Sequence, residues 1–548
     1  MPRRPSIRER LAPLGRLFGE LAFAVAPQAV ARRHELRTRM AMLDRAASLS
    51  TRDAGKSDRF RGAKWLTSRL SPDSEAELDL ETIRDRARDL ALNDPLAAGF
   101  LKTRVTQIVG TGMTYQARVR PDEPGEWPAA DRAAIDEPRA ERINRQLESL
   151  ARRQFRALSV CGRRSLWQIL RLALKCLDRD GEVFLVFSDQ PRGVVPLPLA
   201  VEVVSCTRVE TPPDKLGHPN CRLGIERDEH GTPRFYHVRS RQPNDTKHAE
   251  IRYTAVPAAR VCHLYEPEEP DQSRGYSAMQ PAMGKFKDRH DVDEAEVMKR
   301  QIQACFAVFV QDESGSPIRN AINAATGADA SGNRLEQIAP GMINYLSGAQ
   351  DVKFANPGAN ASGGEEWYAG QDRQIAASVN MPYEMLVKAW GGTNYSSGRL
   401  GLLDGRAEFR VLQQLLVEQF LHPLALRLVR QAVAFGAIDL PARDFLLRRD
   451  RFGDHVWIPP GWPWVDPLKE AAADKLAIAE RLCSRTDRNA ALGRDDDEVQ
   501  EQIFRERKRD AEREARLREY RQSLGLDPDP ATTAKATARP TTRTETAR

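Results

Sequence analysis

Cysteine is scarce in this chain: 7 in 548 residues, at positions 161, 176, 206, 221, 262, 305 and 483, with no CxxC pair. An odd number at wide spacings argues against a disulfide framework or a zinc cluster and points to reduced thiols. Histidine is scarce too, at nine, and no HExxH or comparable ligand spacing occurs, so no metal site is expected. There is no apolar run of the length a membrane-spanning helix needs. An excess of one charge sign is also missing: 84 Lys and Arg stand against 77 Asp and Glu, giving +7. That imbalance is local. Residues 1–70 hold 16 basic and 6 acidic side chains, +10, so residues 71–548 sum to −3. Attraction to a polyanion by net charge alone therefore belongs to the N-terminal stretch. Within it, Leu17–Ala31 follows basic residues and ends in Ala-Val-Ala, imitating a secretory signal; Glu20 and Pro27 break its apolar run, and a local amphipathic helix is the expectation.

With 41% apolar and 29% charged residues, the chain suits a large folded core. Residues 1–60 read as a basic, partly ordered arm. Leu80, Ile83, Ala87, Leu90 and Ala91 mark a helix over 78–107 that Pro95 should break or restart. Gly110-Thr111-Gly112 ends it before a short strand at Met113–Ala117, and 121–140 is a loop. A helical stretch is expected over Arg139–Asp178, then a turn at Asp180-Gly181 and a strand at Glu182–Ser188. Short strands are expected at Leu199–Val204, Arg222–Glu226, Arg234–Arg239 and Arg260–Leu264, with a hairpin turn at His230-Gly231. A long helix should run from Ser277 to Val310. A Gly/Ala/Asn/Ser-rich loop over 313–363 follows, with a strand at Met342–Leu346. A second long helix, Arg399–Phe435, shows a face of Leu400, Leu403, Ala407, Val411, Leu415 and Leu416, with Pro423 as a kink. Residues 456–467 form an aromatic–proline connector before a helix at Leu468–Leu482. Arg494–Arg521 carries 9 basic and 10 acidic residues at helical spacings, a solvated helix, and the residues from 525 onward read as disordered. The fold class is α+β.

Motifs for catalysis fail one by one. Gly55-Lys56-Ser57 would need a glycine at position 50 to close a phosphate loop, and Ser50 stands there. The Gly110–Gly112 pair would need a third glycine where Tyr115 stands, so a helix-ending turn explains it. No GxSxG elbow exists. His263 sits in an apolar run and reads as a partly buried histidine with its partners supplied. Asp495-Asp496-Asp497-Glu498 suits the positive end of a helix better than a cation. No catalytic, cofactor or metal residue is expected. What remains suits an assembly protein that meets nucleic acid through its phosphates.

Several stretches together resemble the lambda-type phage portal protein family. They are Arg88-Asp89-Leu90 with Asn93-Asp94-Pro95, Val109–Met113, Asp180-Gly181-Glu182-Val183-Phe184, Gly231–Val238, Val261–Tyr265 and Gln272-Ser273-Arg274-Gly275. They continue with Ile375-Ala376-Ala377, Met381-Pro382-Tyr383-Glu384, Asn394-Tyr395-Ser396-Ser397, Trp462–Glu470 and Gly493-Arg494-Asp495. Their order covers about residues 60–510; the arm at 1–50 and the chain past 510 fall outside it.

The resemblance implies a homo-oligomeric ring, a dodecamer, at one capsid vertex. Double-stranded DNA would enter and leave through its channel. The terminase large subunit, the major capsid and scaffold proteins, and the head-completion or tail proteins would be partners; no membrane would be. It would reside in the virion, and in the host cytoplasm during assembly, and would be no enzyme, the ATPase belonging to the terminase. It implies a portal-type fold: a mixed α/β outer region over 61–270, long channel-lining helices and the Gly-rich loop over 271–455, a connector and C-terminal helices over 456–522, and a disordered tail over 523–548. Lys285, Lys287 and Arg289 are the candidates for touching DNA in the bore. Asn394, Tyr395, Ser396, Ser397, Asp466, Pro467 and Lys469 are family-motif positions expected to be architectural, with a serine of 394–397 capping a helix that starts near Arg399. Two other readings stay open: a nucleic-acid-binding scaffold acting through the basic arm, and a packaging ATPase or nuclease.

Overall fold

The computed structural model describes residues 70–122, 135–304, 308–312, 343–347 and 364–524, apart from 192, 194, 244, 246–249, 448 and 464–465. The basic arm, Gly55-Lys56-Ser57, most of the Gly-rich stretch and the tail after 524 lie outside the described residues. The chain divides into two units, Met1–Thr82 with Pro267–Arg274, and Ile83–Glu266 with Gly275–Arg548.

In the first unit, the opening turns of helix α1 (Pro72–Asn93) meet the 267–274 strap. The Asp73 carboxylate accepts the Ser273 backbone N–H at 2.8 Å and the Ser273 hydroxyl. Gln272 folds the strap: its amide oxygen accepts from Glu268 N and Glu269 N at 2.8 and 3.0 Å, and its Nε2 donates to Arg274 O at 2.7 Å.

The second unit holds the main core. Asp94 ends α1 and opens α2 (Pro95–Ile108): its Oδ1 accepts from Ala97 N at 2.7 Å, and Pro95 takes the first helical position, where its missing N–H costs nothing. Strand β1 (Thr114–Ala117) follows. The helical stretch expected over 139–178 is two helices, α3 (Glu137–Gln154) and α4 (Leu166–Asp180). Gly162 at φ +68° turns the chain between them, and a Ser165–Gln168 capping box restarts the helix. Next come β2 (Glu182–Ser188), β3 (Ala200–Val204), β4 (Cys221–Arg222), β5 (Ile225–Arg227), β6 (Pro233–Arg239), β7 (Tyr253–Pro257) and β8 (Val261–Tyr265). β7 is an addition to the expected strands, and the run at 222–226 is two strands around Leu223-Gly224. The hairpin at His230-Gly231 is present, pairing Ile225 with Tyr236.

Two antiparallel sheets result, in orders β3-β2-β8 and β4-β5-β6-β7. Strand β2 is buried on both faces, which is why it reads as an unbroken apolar run. Val183, Leu185 and Phe187 face the main core, while Phe184 joins Val204, Ile225, Tyr236 and Val238 in a smaller core between the sheets. β8 is an edge, and Gln419 covers it: its side-chain amide accepts from Tyr265 N at 3.1 Å and donates to Tyr265 O at 3.0 Å, as a neighbouring strand would.

Helix α5 (Met283–Ala304) ends sooner than expected. Its apolar end is instead strand β9 (Val308–Asp312), parallel to β10 (Ile343–Ser347). The run Val308-Phe309-Val310 is β-branched and aromatic, which favours a pleated partner over another helical turn. Helices α6 (Gly364–Ser378) and α7 (Tyr383–Val387) lead to α8 (Tyr395–Leu416), a π turn at Val417–Leu421 and α9 (His422–Ala434). Pro423, expected as a kink, follows directly on that π turn without interrupting the helical run, and the Trp457 indole N–H satisfies the carbonyl of Leu421 in the π turn at 3.1 Å.

The expected apolar face of α8 is only partly the buried one. Leu400, Leu403 and Val411 are exposed; Phe409, Leu412, Gln413 and Leu416 are buried. Packing chose the other side: Gly405 lies so close to Pro382 and Met385 that a Cβ would sit 3.1 Å from each. Short helices α10 (Ala442–Leu447) and α11 (Arg449–Phe452) precede β11 (His455–Ile458), a strand inside the expected connector that pairs antiparallel with β1. Helices α12 (Pro467–Ala479), α13 (Arg485–Ala491) and α14 (Asp496–Ser523) complete the described chain, the last almost entirely solvated.

Candidate functional site

Of the three expected DNA-contact residues, two are already paired within the chain. Lys287 Nζ lies 2.6 Å from Asp291 one turn along α5. Arg289 Nε donates to Asp372 of α6 at 2.9 Å, its NH1 to Asp293 at 3.2 Å, and its guanidinium lies 5.8 Å over the Tyr368 ring. Burial pushes the Asp372 carboxyl above its ordinary range, and Arg289 opposes that shift. Lys285 is half-buried. Phe286 and Ala282 anchor the start of α5 in the core, and the helix from Asp291 to Gln301 is mostly exposed. Between Lys285 and Arg300, 5 basic residues face 5 acidic ones. This helix therefore carries a surface of nearly balanced charge, much of it held in ion pairs along the helix or to α6.

The family-motif positions sit at helix starts. Asn394, not a serine, is the cap: its Oδ1 accepts from Ser397 N at 2.8 Å, so α8 begins at Tyr395 and Ser396 and Ser397 lie inside its first turn. The asparagine wins because the N-cap must precede the first helical residue, and the helix starts four residues earlier than its apolar spacing suggests. Tyr395 is exposed. Asp466 caps α12 with Pro467 at the first helical position: the carboxylate accepts from Lys469 N at 3.3 Å and pairs with Lys469 Nζ at 3.2 Å. Those hydrogen bonds hold the Asp466 carboxyl below its ordinary range. Asp495 likewise caps α14, accepting from Asp497 N and Glu498 N, while Asp496 is engaged by Arg485, Thr486, Asn489 and Gln500. The acidic run is a helix start with its charges in use. Among the described residues no group of three or more acidic, His or Cys side chains could hold a metal, and no helix is long and apolar enough to cross a membrane.

The most elaborate polar arrangement was hidden from sequence reading. Glu182, wholly buried at the start of β2, receives Arg84 NH2 at 2.6 Å, Gly275 N at 3.2 Å and His263 Nε2 at 2.8 Å. Arg84 also donates to the carbonyls of Asp180 and Gly275 at 3.0 and 3.3 Å. Beside it Arg88 and Arg179 bind Asp180 at 3.0 and 2.7 Å. His263 is stacked between Phe184 and Tyr265, ring centroids 4.2 and 4.3 Å away, and is partly buried with its ring nitrogen engaged, as expected. Arg104 of α2 meets the fully buried Asp178 at 3.1 Å; burial drives that carboxyl upward against the arginine. These charges are paired and hydrogen-bonded, which is how buried ions are tolerated. They tie α1, α2, α4, β2 and β8 together. The available signal was the repeated Arg and Asp at 84, 88, 104, 178 and 180, but on amphipathic helices such residues look like surface charge.

The model of the phage portal protein, lambda family, matches residues 58–413. This chain belongs to the lambda family of phage portal proteins. It is 26% identical over 434 residues to a probable portal protein of Halomonas phage phiHAP-1, across 78% of this chain and 80% of that one. It is 22% identical over 460 residues to portal protein B of Escherichia phage lambda, across 77% and 82%. Among solved structures it is similar to a chain from the neck of an empty GTA particle, at 15% identity and a TM-score of 0.36, over 76% of this chain and 94% of that one. That superposition is too loose to bear on function.

Proposed function

We propose that this chain is the subunit of a closed ring at one capsid vertex, through which double-stranded DNA is packaged and later released. The observation that carries the reading is the family match through α8, residues 58–413, supported by portal relatives that share about four-fifths of their length with this chain. The described structure supports it with a mixed α/β region tied by buried ion pairs and a largely exposed helix α5 of balanced charge. In this reading 61–270 forms the outer region and 271–455 the ring and channel region. The ring would dock terminase during packaging and head-completion or tail proteins afterwards, with the connector and C-terminal helices over 456–522 beyond the channel region. The ring would be dodecameric, assembled in the host cytoplasm with capsid and scaffold proteins and retained in the virion. The reading assigns the chain no bond-making step.

Negative-stain imaging of the purified full chain is the test. Closed annuli formed without ATP are expected. Protein that stays monomeric by light scattering across salt and concentration overturns the reading. ATP turnover abolished by Lys56→Ala would favour a packaging ATPase instead; divalent-dependent cleavage lost on replacing the acids of 495–498 would favour a nuclease.

A further inference from the structure

Helix α3 has two faces. Ala140, Ile143, Leu147, Leu150 and Ala151 are buried in the core. The opposite face presents Arg142, Arg145, Gln146, Ser149 and Arg153, which with Ala437, just past α9, line an open cleft of about 460 Å³. Every polar side chain lining it is a hydrogen-bond donor. Gln146 is oriented by its backbone partner: its Oε1 accepts from Asp439 N at 2.9 Å, which leaves its NH2 group as the free end. Two carboxylates stand at the rim. Asp439 lies 3.7 Å from Arg142 and 3.9 Å from Arg139, and Glu141 lies 3.7 Å from Arg145. These are the separations of loose ion pairs, and Arg145 Nε and Arg139 NH2 also donate to the carbonyls of Glu141 and Asp439, each at 3.4 Å. Arg153 is exposed.

We propose that this cleft is a sequence-independent binding site for the phosphodiester backbone of duplex DNA. Guanidinium forks, an amide NH2 and a hydroxyl are the groups that contact phosphates without reading bases. Arg145 and Arg153 are eight residues apart, about 12 Å of helix, enough to reach two separate, non-adjacent phosphates of the duplex backbone. A protein partner fits less well: a specific protein interface needs a buried apolar anchor, and Ala437 is the cleft's sole apolar lining residue. The proposal rests on the DNA-conducting reading only for the identity of the polyanion. It places a contact on α3 beside Ala437, on residues other than those of α5.

The test is fluorescence anisotropy of a short random-sequence duplex titrated with the full chain across a salt series, for wild type, Arg145→Gln/Arg153→Gln and Arg145→Lys/Arg153→Lys. Losing two phosphate contacts should flatten the log K against log salt slope by about two in the Gln pair, and the Lys pair should keep it. An unchanged slope in the Gln pair overturns the proposal. So does a loss confined to binding of a polyglutamate peptide, which would assign the cleft to an acidic protein. Imaging the same samples separates the two ideas: an absence of rings sinks the portal reading, and the slope judges the cleft whether or not rings form.

Discussion

Gly275 is packed directly against the Gly181 carbonyl: a Cβ on Gly275 would lie 2.0 Å from that oxygen, and a Cβ on Gly181 would lie 2.3 Å from the backbone of Tyr276. Two motif glycines far apart in sequence thus share one backbone crossing, with Glu182 receiving the Gly275 N–H beside it. Gly181 also carries φ +88° as the left-handed end of α4. Gly181→Ala and Gly275→Ala should each destabilise by about 3 kcal/mol or more, through strain and overpacking. Urea unfolding of each variant checks this; midpoints within error of wild type would refute the crossing.

The Arg84–Glu182 pair should behave as a buried ion pair. Glu182→Leu or Arg84→Met alone should cost about 3–5 kcal/mol, because each leaves an uncompensated group behind. Arg84→Met with Glu182→Leu should cost clearly less than the two single changes added. A double-mutant cycle by chemical denaturation gives the coupling; strict additivity would contradict the geometry.

Helix α8 offers a contrast between its two faces. Phe409→Ala removes a fully buried ring and should cost about 3–5 kcal/mol. Leu403→Asp, on the exposed stripe, should change subunit stability by no more than about 0.5 kcal/mol. Thermal melts of both variants under conditions that keep the protein monomeric decide which stripe faces the core.

His455 and His422 are stacked with Nε2 and Nδ1 3.2 Å apart, and His455 Nδ1 meets the Gly453 carbonyl at 2.5 Å. Burial, with His422 adding to it, holds the His455 pKa below the ordinary histidine value. The folded state therefore binds this proton less readily than the unfolded chain. The contribution is full above the unfolded pKa of about 6.5 and is lost as pH falls from there through the lowered folded value. His455→Asn should flatten the decline in Tm between neutral and mildly acidic pH; an unchanged pH profile would dismiss the pair.

Thiol reactivity should be sharply ranked. Burial raises Cys262 to about 12 and Cys176 to about 11. The Ser159 hydroxyl, 3.2 Å from its sulfur, holds exposed Cys161 below the ordinary thiol range. Iodoacetamide at neutral pH should modify Cys161 ahead of Cys176 and Cys262, and Cys161→Ser should remove that phase, as peptide mass spectrometry would show.

Much of the architecture was readable because it is encoded locally. The break at Asp94-Pro95, the strand at Glu182–Ser188, the turn at Gly231 and the solvated helix after Asp495 depend on capping, turn chemistry and short-range periodicity, and all stand where their residues put them. The family, too, was legible from spaced motif residues. The donor-lined cleft on α3 was not, since its far wall comes from Ala437.

By itself the sequence determined the boundaries marked by strong caps, prolines and glycines, such as Asp94-Pro95 and Gly181, and to which family the chain belongs, since these signals act within a few residues. Tertiary structure alone decided which stripe of α8 is covered, that Val308–Asp312 is a strand, and that Arg84 and Arg104 are buried ions. Each of those outcomes depends on a partner far along the chain: Pro382 and Met385 against Gly405, Ile343–Ser347 beside β9, Glu182 and Asp178 against the two arginines. A helix offers several plausible faces, and an arginine suits water or a buried carboxylate equally well, until packing brings one partner within reach.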